Sequence, residues 1–257
     1  MRVLSYESAA RIDGIPLLRD DGRKHITVPR GQGRVVIDGV VHRADLRPEE
    51  VMSKLGVTMT VSLRTVVDIA RSRPPADGLA VADGALRLKR ITKQELLAAA
   101  ANARGPGAKT LRWVAKHADG RAGSVIESKL RADLILGGVR GVRLQKRLDE
   151  YGHPFDIGID DTDLLVEADG SGHREWARFQ MDCEDGVEAS LEDHEVLRFT
   201  GWQIMNRSDW VVSVVKARVK VHRQRRAKAK AKLRAARSRA STAANTQKST
   251  SGAHVRS

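Results

Sequence analysis

Apolar residues are spaced differently in successive parts of this chain, and each spacing predicts its own kind of element. Up to about residue 120, short apolar clusters alternate with turn signals. Ser8 to Gly14 reads as the end of a short helix. His25–Val28 and Arg34–His42 gather β-branched residues around Gly31, Gly33 and Gly39, which predicts a small antiparallel ribbon. Val66, Val67, Ile69 and Ala70 give Thr65–Arg71 a helical pattern, and Pro74-Pro75 should stop it. Thr92-Lys93-Gln94-Glu95 is a capping-box pattern opening an Ala/Leu-rich helix that runs to Ala103. Arg104-Gly105-Pro106-Gly107 breaks the chain before a further helix over Lys109–His117. Residues 1–120 thus read as a small mixed α+β accessory domain.

From residue 123 to 222 the pattern changes. Ser124-Val125-Ile126-Glu127 starts a helix with Leu130, Leu134 and Ile135 facing inward, ended by Gly137-Gly138. Val142–Gln145 predicts a short strand. Phe155–Ile159 and Leu164–Asp169 predict two more, joined by the polar turn Asp160-Asp161-Thr162-Asp163. A long polar helix is expected between Arg174 and Leu197, a final strand over Gly201–Met205, and a last helix capped by Ser208-Asp209. Helices interleaved with strands in this order make an α/β or α+β fold with a mixed sheet flanked by helices. Residues 223–257 form a tail, helix-prone at Ala227–Lys232 and expected to be disordered from Ser238 onward.

Charge sharpens this division. The chain carries a net charge of +14. Fourteen Lys and Arg lie from Lys216 to the end, where there is no Asp or Glu, so the remaining body is balanced at zero. A polyanionic partner is therefore a property of the tail, through Arg223, Arg225, Arg226, Lys228, Lys230, Lys232 and Arg234. The single cysteine, Cys183, excludes an internal disulfide and a cysteine-cluster zinc site. No apolar run approaches the ~20 residues a membrane-spanning helix needs, and Met1–Leu18 has no signal-peptide core, so a cytoplasmic protein with no membrane partner is expected.

The candidate chemistry lies in the two central strands of the second region. Glu167 and Asp169 are two apart on one strand, so they leave the same face, with Leu164, Val166 and Ala168 on the other. If the hairpin closes through a two-residue loop, Asp161-Thr162, then Asp156 stands directly opposite Glu167, with Cβ atoms about 4.5–5.5 Å apart. Like charges so placed repel, and a hard divalent cation such as Mg²⁺ or Mn²⁺ offers a reason to keep them. Glu127 has two readings, helix cap or fourth acidic ligand. His173, just after the strand, could orient a water or leaving group.

Taken together these residues resemble a known family. Ser124-x-x-Glu127-Ser128, Phe155-Asp156-Ile157, Val166-Glu167-Ala168-Asp169-Gly170-x-x-His173 and Leu197-x-x-x-Gly201-Trp202 resemble the Vsr-like (very-short-patch-repair) branch of the PD-(D/E)XK endonucleases. Ser5–Gly14, Val28-Pro29-Arg30 and Arg64–Arg71 resemble the middle region of AbiEi-type antitoxin-like proteins, whose N-terminal winged helix is expected to be absent here. The resemblance implies a restriction-endonuclease-like core, with Asp156 and Glu167 as metal ligands and Glu127 beside them. It puts Asp169 where the motif has Lys. The segment Gln180–Glu195 holds seven acids and no Lys or Arg, unlike the family's Arg-containing helix; residues 182–195 are thus a candidate protein-docking segment. The expectation is a Mg²⁺-dependent deoxyribonuclease with Glu127, Asp156, Glu167, Asp169 and His173 as its catalytic set. The rivals are a non-catalytic DNA-binding regulator or antitoxin-like protein on a nuclease fold, and an RNA-binding protein acting through its tail.

Overall fold

The computed structural model describes residues 2–148, 154–169 and 194–251, with side chains as far as residue 237. It is a mixed α+β structure with two mixed sheets. The first has the order β3-β2-β1-β5-β4, built from β1 (Val3–Leu4), β2 (His25–Val28), β3 (Val40–Arg43), β4 (Val51–Lys54) and β5 (Val57–Thr60). The expected antiparallel ribbon is not what forms: β2 and β3 run parallel, with His25 beside Val40 and Val28 beside Arg43. Residues 29–39 are long enough to carry the chain back to the start of β2, which a parallel pair requires and a tight hairpin does not. Gly39 permits the return, because a Cβ there would lie 2.2 Å from the Lys24 carbonyl oxygen. The tight hairpin is instead β4–β5, turned at Leu55-Gly56, both in the left-handed region.

Five helices complete this half: α1 (Tyr6–Asp13), α2 (Ser62–Ser72), α3 (Pro75–Arg87), α4 (Lys93–Asn102) and α5 (Ala108–His117). Pro74-Pro75 does end α2, and it also begins α3, since proline in the first helical turn gives up no hydrogen bond. The periodicity does not reveal α3 because Ala76 to Ala85 is buried on every side, leaving no polar face to mark a helix. Gly78 lets it close on α2: a Cβ there would lie 2.9 Å from Ala70 Cα.

The second sheet has the order β6-β7-β8-β9, from β6 (Val142–Lys146), β7 (Phe155–Ile159), β8 (Leu164–Asp169) and β9 (Glu195–Thr200). The first three are antiparallel neighbours, and β9 runs parallel to β8. Behind the sheet, α6 (Val125–Leu136), α7 (Gly201–Asn206) and α8 (Ser208–Ser251) bury Leu130, Leu134, Ile204, Val211 and Val215 against Ile157, Leu164, Val166 and Phe199. Two expectations fail here. Gly201–Met205 is a helix rather than a strand, because Thr200 and Gln203 form a capping box and Ile204 turns into the core. The strand lies just before it, over residues assigned in part to a polar helix. The rest of that helix, residues 174–193, lies outside the described residues.

The two halves are joined by charge as well as by packing. Asp83 of α3 and Arg131 of α6 form a buried ion pair at 2.6 Å. Ser128 Oγ and the Asp119 backbone N–H donate to the same carboxylate, both at 2.7 Å. Arg131 also donates to the His117 carbonyl at 2.6 Å. Burial still pushes the Asp83 carboxyl above its usual range, with Arg131 opposing the rise.

Candidate acidic site on the second sheet

The β7–β8 ladder pairs Ile157 with Val166 and Gly158 with Leu165, the register that a two-residue loop at Asp161-Thr162 requires. Ile157 and Val166 both enter the core behind the sheet. By alternation, Asp156 and Glu167 therefore face the other way, next to each other on adjacent strands. Asp156 Oδ2 accepts the Ala168 N–H at 2.9 Å, so a side chain takes the place of a backbone acceptor where the ladder ends. Asp156, Glu167 and Asp169 are all half-buried.

Two further residues share this face that the acidic pattern did not bring forward. Arg198 of β9 is the register partner of Glu167, and its Nε donates to Glu167 Oε2 at 2.8 Å. Gln145 lies on β6 between the pairs Leu144–Ile157 and Lys146–Phe155, which places it opposite Asp156. It has φ +52°, a left-handed conformation costing roughly 1–3 kcal/mol for a residue with a side chain. Its amide nitrogen lies 3.5 Å from Glu127 Oε2. The only mark of Gln145 in the sequence is a polar residue at the end of a short strand. Arg198 was hidden by the assignment of its surroundings to helix.

Glu127 is buried at the start of α6, where Ser124 Oγ accepts its N–H at 3.1 Å. Its carboxylate accepts from the Gly123 N–H at 2.7 Å, one residue before the cap itself. Ser124 thus caps the helix, but the return bond of a capping box goes to Gly123 rather than to the Ser124 N–H, and Gln145 connects that carboxylate to the sheet. Among the described residues no group of three or more His, Cys, Asp or Glu side chains is gathered closely enough to hold a metal ion. What the face offers is hard oxygen donors on adjacent strands, with one carboxylate already on a guanidinium. His173 and residues 182–193 of the acidic segment lie outside the described residues, as does Cys183. The end of that segment, Glu195, is engaged within the fold: it accepts from Arg218 Nε at 2.6 Å and pairs with His222 Nε2 at 2.9 Å. The Arg218 hydrogen bonds hold its carboxyl below the usual range.

The tail does not separate from the body at residue 223. Helix α8 is continuous through Ser251, whereas disorder was expected from Ser238. Of the seven predicted phosphate-binding cations, two are docked on the body. Arg223 donates to the Arg140 carbonyl at 3.0 Å, and Arg226 pairs with Asp163. Arg225, Lys228, Lys230, Lys232 and Arg234 are exposed along the helix.

No protein family, curated protein or solved structure matches the chain. Among the described residues no helix is long and apolar enough to cross a membrane.

Proposed function

We propose that the polar face of the second sheet is the reaction surface of a metal-dependent DNA endonuclease of the PD-(D/E)XK type, in its Vsr-like branch. The observation that carries this reading is the register setting Asp156 beside Glu167 on one face, with Asp169 two residues further along the same strand. Their donor chemistry suits a hard divalent ion, with Asp156 and Glu167 as ligands and Asp169 and Glu127 as candidates for further positions. When bound, Mg²⁺ or Mn²⁺ would polarise a phosphate oxygen and lower the pKa of water. In hydrolysis the oxygen of water bonds to phosphorus and the bridging P–O bond breaks. One water proton passes to Asp169, and the departing oxygen takes a proton from solvent. Glu127 stands at the start of α6 with Gln145 of β6 at 3.5 Å from its carboxylate. The exposed cations of α8 hold the DNA backbone without reading its sequence.

The second reading is a non-catalytic DNA-binding regulator on the same fold. It is favoured by the hold of Arg198 on Glu167 and by the lack, among the described residues, of a closed group of three acids. One experiment separates the two: Mg²⁺- or Mn²⁺-dependent turnover of duplex, mismatched and single-stranded DNA by the wild-type chain and by Asp156→Ala. Cleavage by the wild type and none by the variant is expected. DNA binding with no cleavage by either would establish the regulator.

A further inference from the structure

We infer that a groove on the folded body, between helix α8 and the loop from α6 to β6, seats the phosphate backbone of duplex DNA, and that one stripe of α8 carries the track on beyond the body. The inference rests on the DNA-binding part of the reading above and holds for nuclease and regulator alike. The groove encloses about 670 Å³, with Val139 and Arg140 on one side and Lys216, Val219, Lys220 and Arg223 on the other. None of its lining residues is acidic. Arg140, Lys216 and Lys220 are exposed and have no ion-pair partner among the described residues. Val139 and Val219 are buried between them, so the cations stand around an apolar floor. A cleft with one sign of charge over low-dielectric walls concentrates its field on an approaching anion.

The second observation is the spacing of charge along α8. Lys216, Lys220, Arg223, Lys230, Arg234 and Arg237 follow one another at steps of four, three, seven, four and three residues. At 3.6 residues per turn these steps keep all six on one face. Arg225, Lys228 and Lys232 fall on the opposite face, while Arg218 and Arg226 are occupied by Glu195 and Asp163. The charge of the tail is therefore divided, and only one stripe runs back into the groove. Arg223 holds the two sides of the groove together through its 3.0 Å bond to the Arg140 carbonyl. From Lys216 to Arg237 the stripe spans about 31 Å at 1.5 Å per residue, the length of about nine base pairs at 3.4 Å each. A straight row of cations of this length fits a stiff rod of regularly spaced phosphates.

The test compares two full-length variants that each lose three positive charges. The groove variant carries Arg140→Gln, Lys216→Gln and Lys220→Gln. The control carries Arg225→Gln, Lys228→Gln and Lys232→Gln, on the opposite face. Binding to a duplex of two helical turns is titrated across a salt series with chelator present, so that no cleavage intervenes. The groove variant should flatten the slope of log affinity against log salt by about 2.7, at about 0.9 per phosphate contact. The control should change it by less than about 1. Melting of both should stay close to wild type, because exposed side chains without partners contribute little to stability. Should the groove variant melt early, Lys216→Gln alone must still flatten the slope by about 0.9. Equal flattening in both variants, or none in the groove variant, overturns the track while leaving DNA as the partner. A wild-type chain that binds no duplex DNA at low salt, or binds duplex RNA or an acidic polypeptide more tightly, overturns the DNA reading itself and the groove with it.

Discussion

The two sheets handle charge in opposite ways. Around the first, ionised groups are drawn inward and matched inside the protein. Buried Glu7 is held by Arg73 at 2.6 Å, Asp13 by Lys54 at 2.6 Å and Asp68 by Arg64 at 2.8 Å. His25 lies between the Asp21 carboxylate at 3.2 Å and His42 at 3.0 Å, and Tyr6 stacks on His42. On the second sheet the main apolar core lies behind, while Asp156, Glu167, Asp169 and Arg198 stay half-exposed on the other face, beside a smaller apolar cluster of Leu148, Phe155, Leu165 and Val196. Charge matched and buried is architecture, because removing either member strands the other in low dielectric. Charge gathered on an accessible face has to be explained by what comes to it.

That contrast is most sharply tested at the acidic face. Asp156→Asn and Glu167→Gln should each cut Mg²⁺-dependent cleavage by about a thousandfold or more. Melting should change by no more than about two degrees, since a half-exposed ion pair is worth about 0–1 kcal/mol. Cleavage assays and thermal melts on the same preparations decide it; persistent cleavage with a large fall in stability would place these acids with the scaffold. Asp83→Ala should do the reverse. Leaving Arg131 unpaired in the interior should cost about 3–5 kcal/mol in chemical denaturation, with any loss of cleavage following the loss of folded protein.

The tail supplies a middle case, docked charge running into free charge. A chain ending at Arg226 should keep its fold and its contacts to Asp163 and Asp160, yet bind duplex DNA more weakly. Eight cations are lost, from Lys228 to Arg256, so the slope of log affinity against log salt should flatten by up to about 7, at about 0.9 per phosphate contact. Binding titrations across a salt series measure it, and an unchanged slope would move the footprint elsewhere.

The smallest effect belongs to His42. Burial, and then the charge of His25, push its pKa down from 6.5 to about 4. Between those values the unfolded chain binds more protons than the folded one, so stability should fall as pH drops from about 6.5 to 4. Melting of wild type and His42→Gln across that window should show a difference of a few degrees that narrows near pH 7. Equal pH dependence in both would assign the acid sensitivity to other groups, with Glu7, Asp21 and Arg73 the nearest charges to His25.

Much of the acidic site was legible because it depends on local rules. Alternation along β8 and a two-residue turn are enough to put Asp156 beside Glu167, and the capping pattern is enough to start α6 at Ser124. The errors share a different cause. Helix α3 has no polar stripe to read. Strand β9 and helix α7 were exchanged because Val196, Leu197, Phe199 and Ile204 suit either element, and only pairing with β8 selects the strand. The parallel β2–β3 pair depends on a returning loop whose path no local spacing describes.

By itself, then, the amino-acid sequence determined the alternation, turns and caps of this protein, the neutrality of its body and the basicity of its tail, since these act over a few residues or are sums over the chain. Tertiary structure alone decided that Arg198 meets Glu167, that Gln145 takes a strained turn between Asp156 and Glu127, and that Arg223 and Arg226 are tied to the body. Each of those contacts joins residues from separate elements, and its formation depends on strand order and helix packing that local preference does not encode.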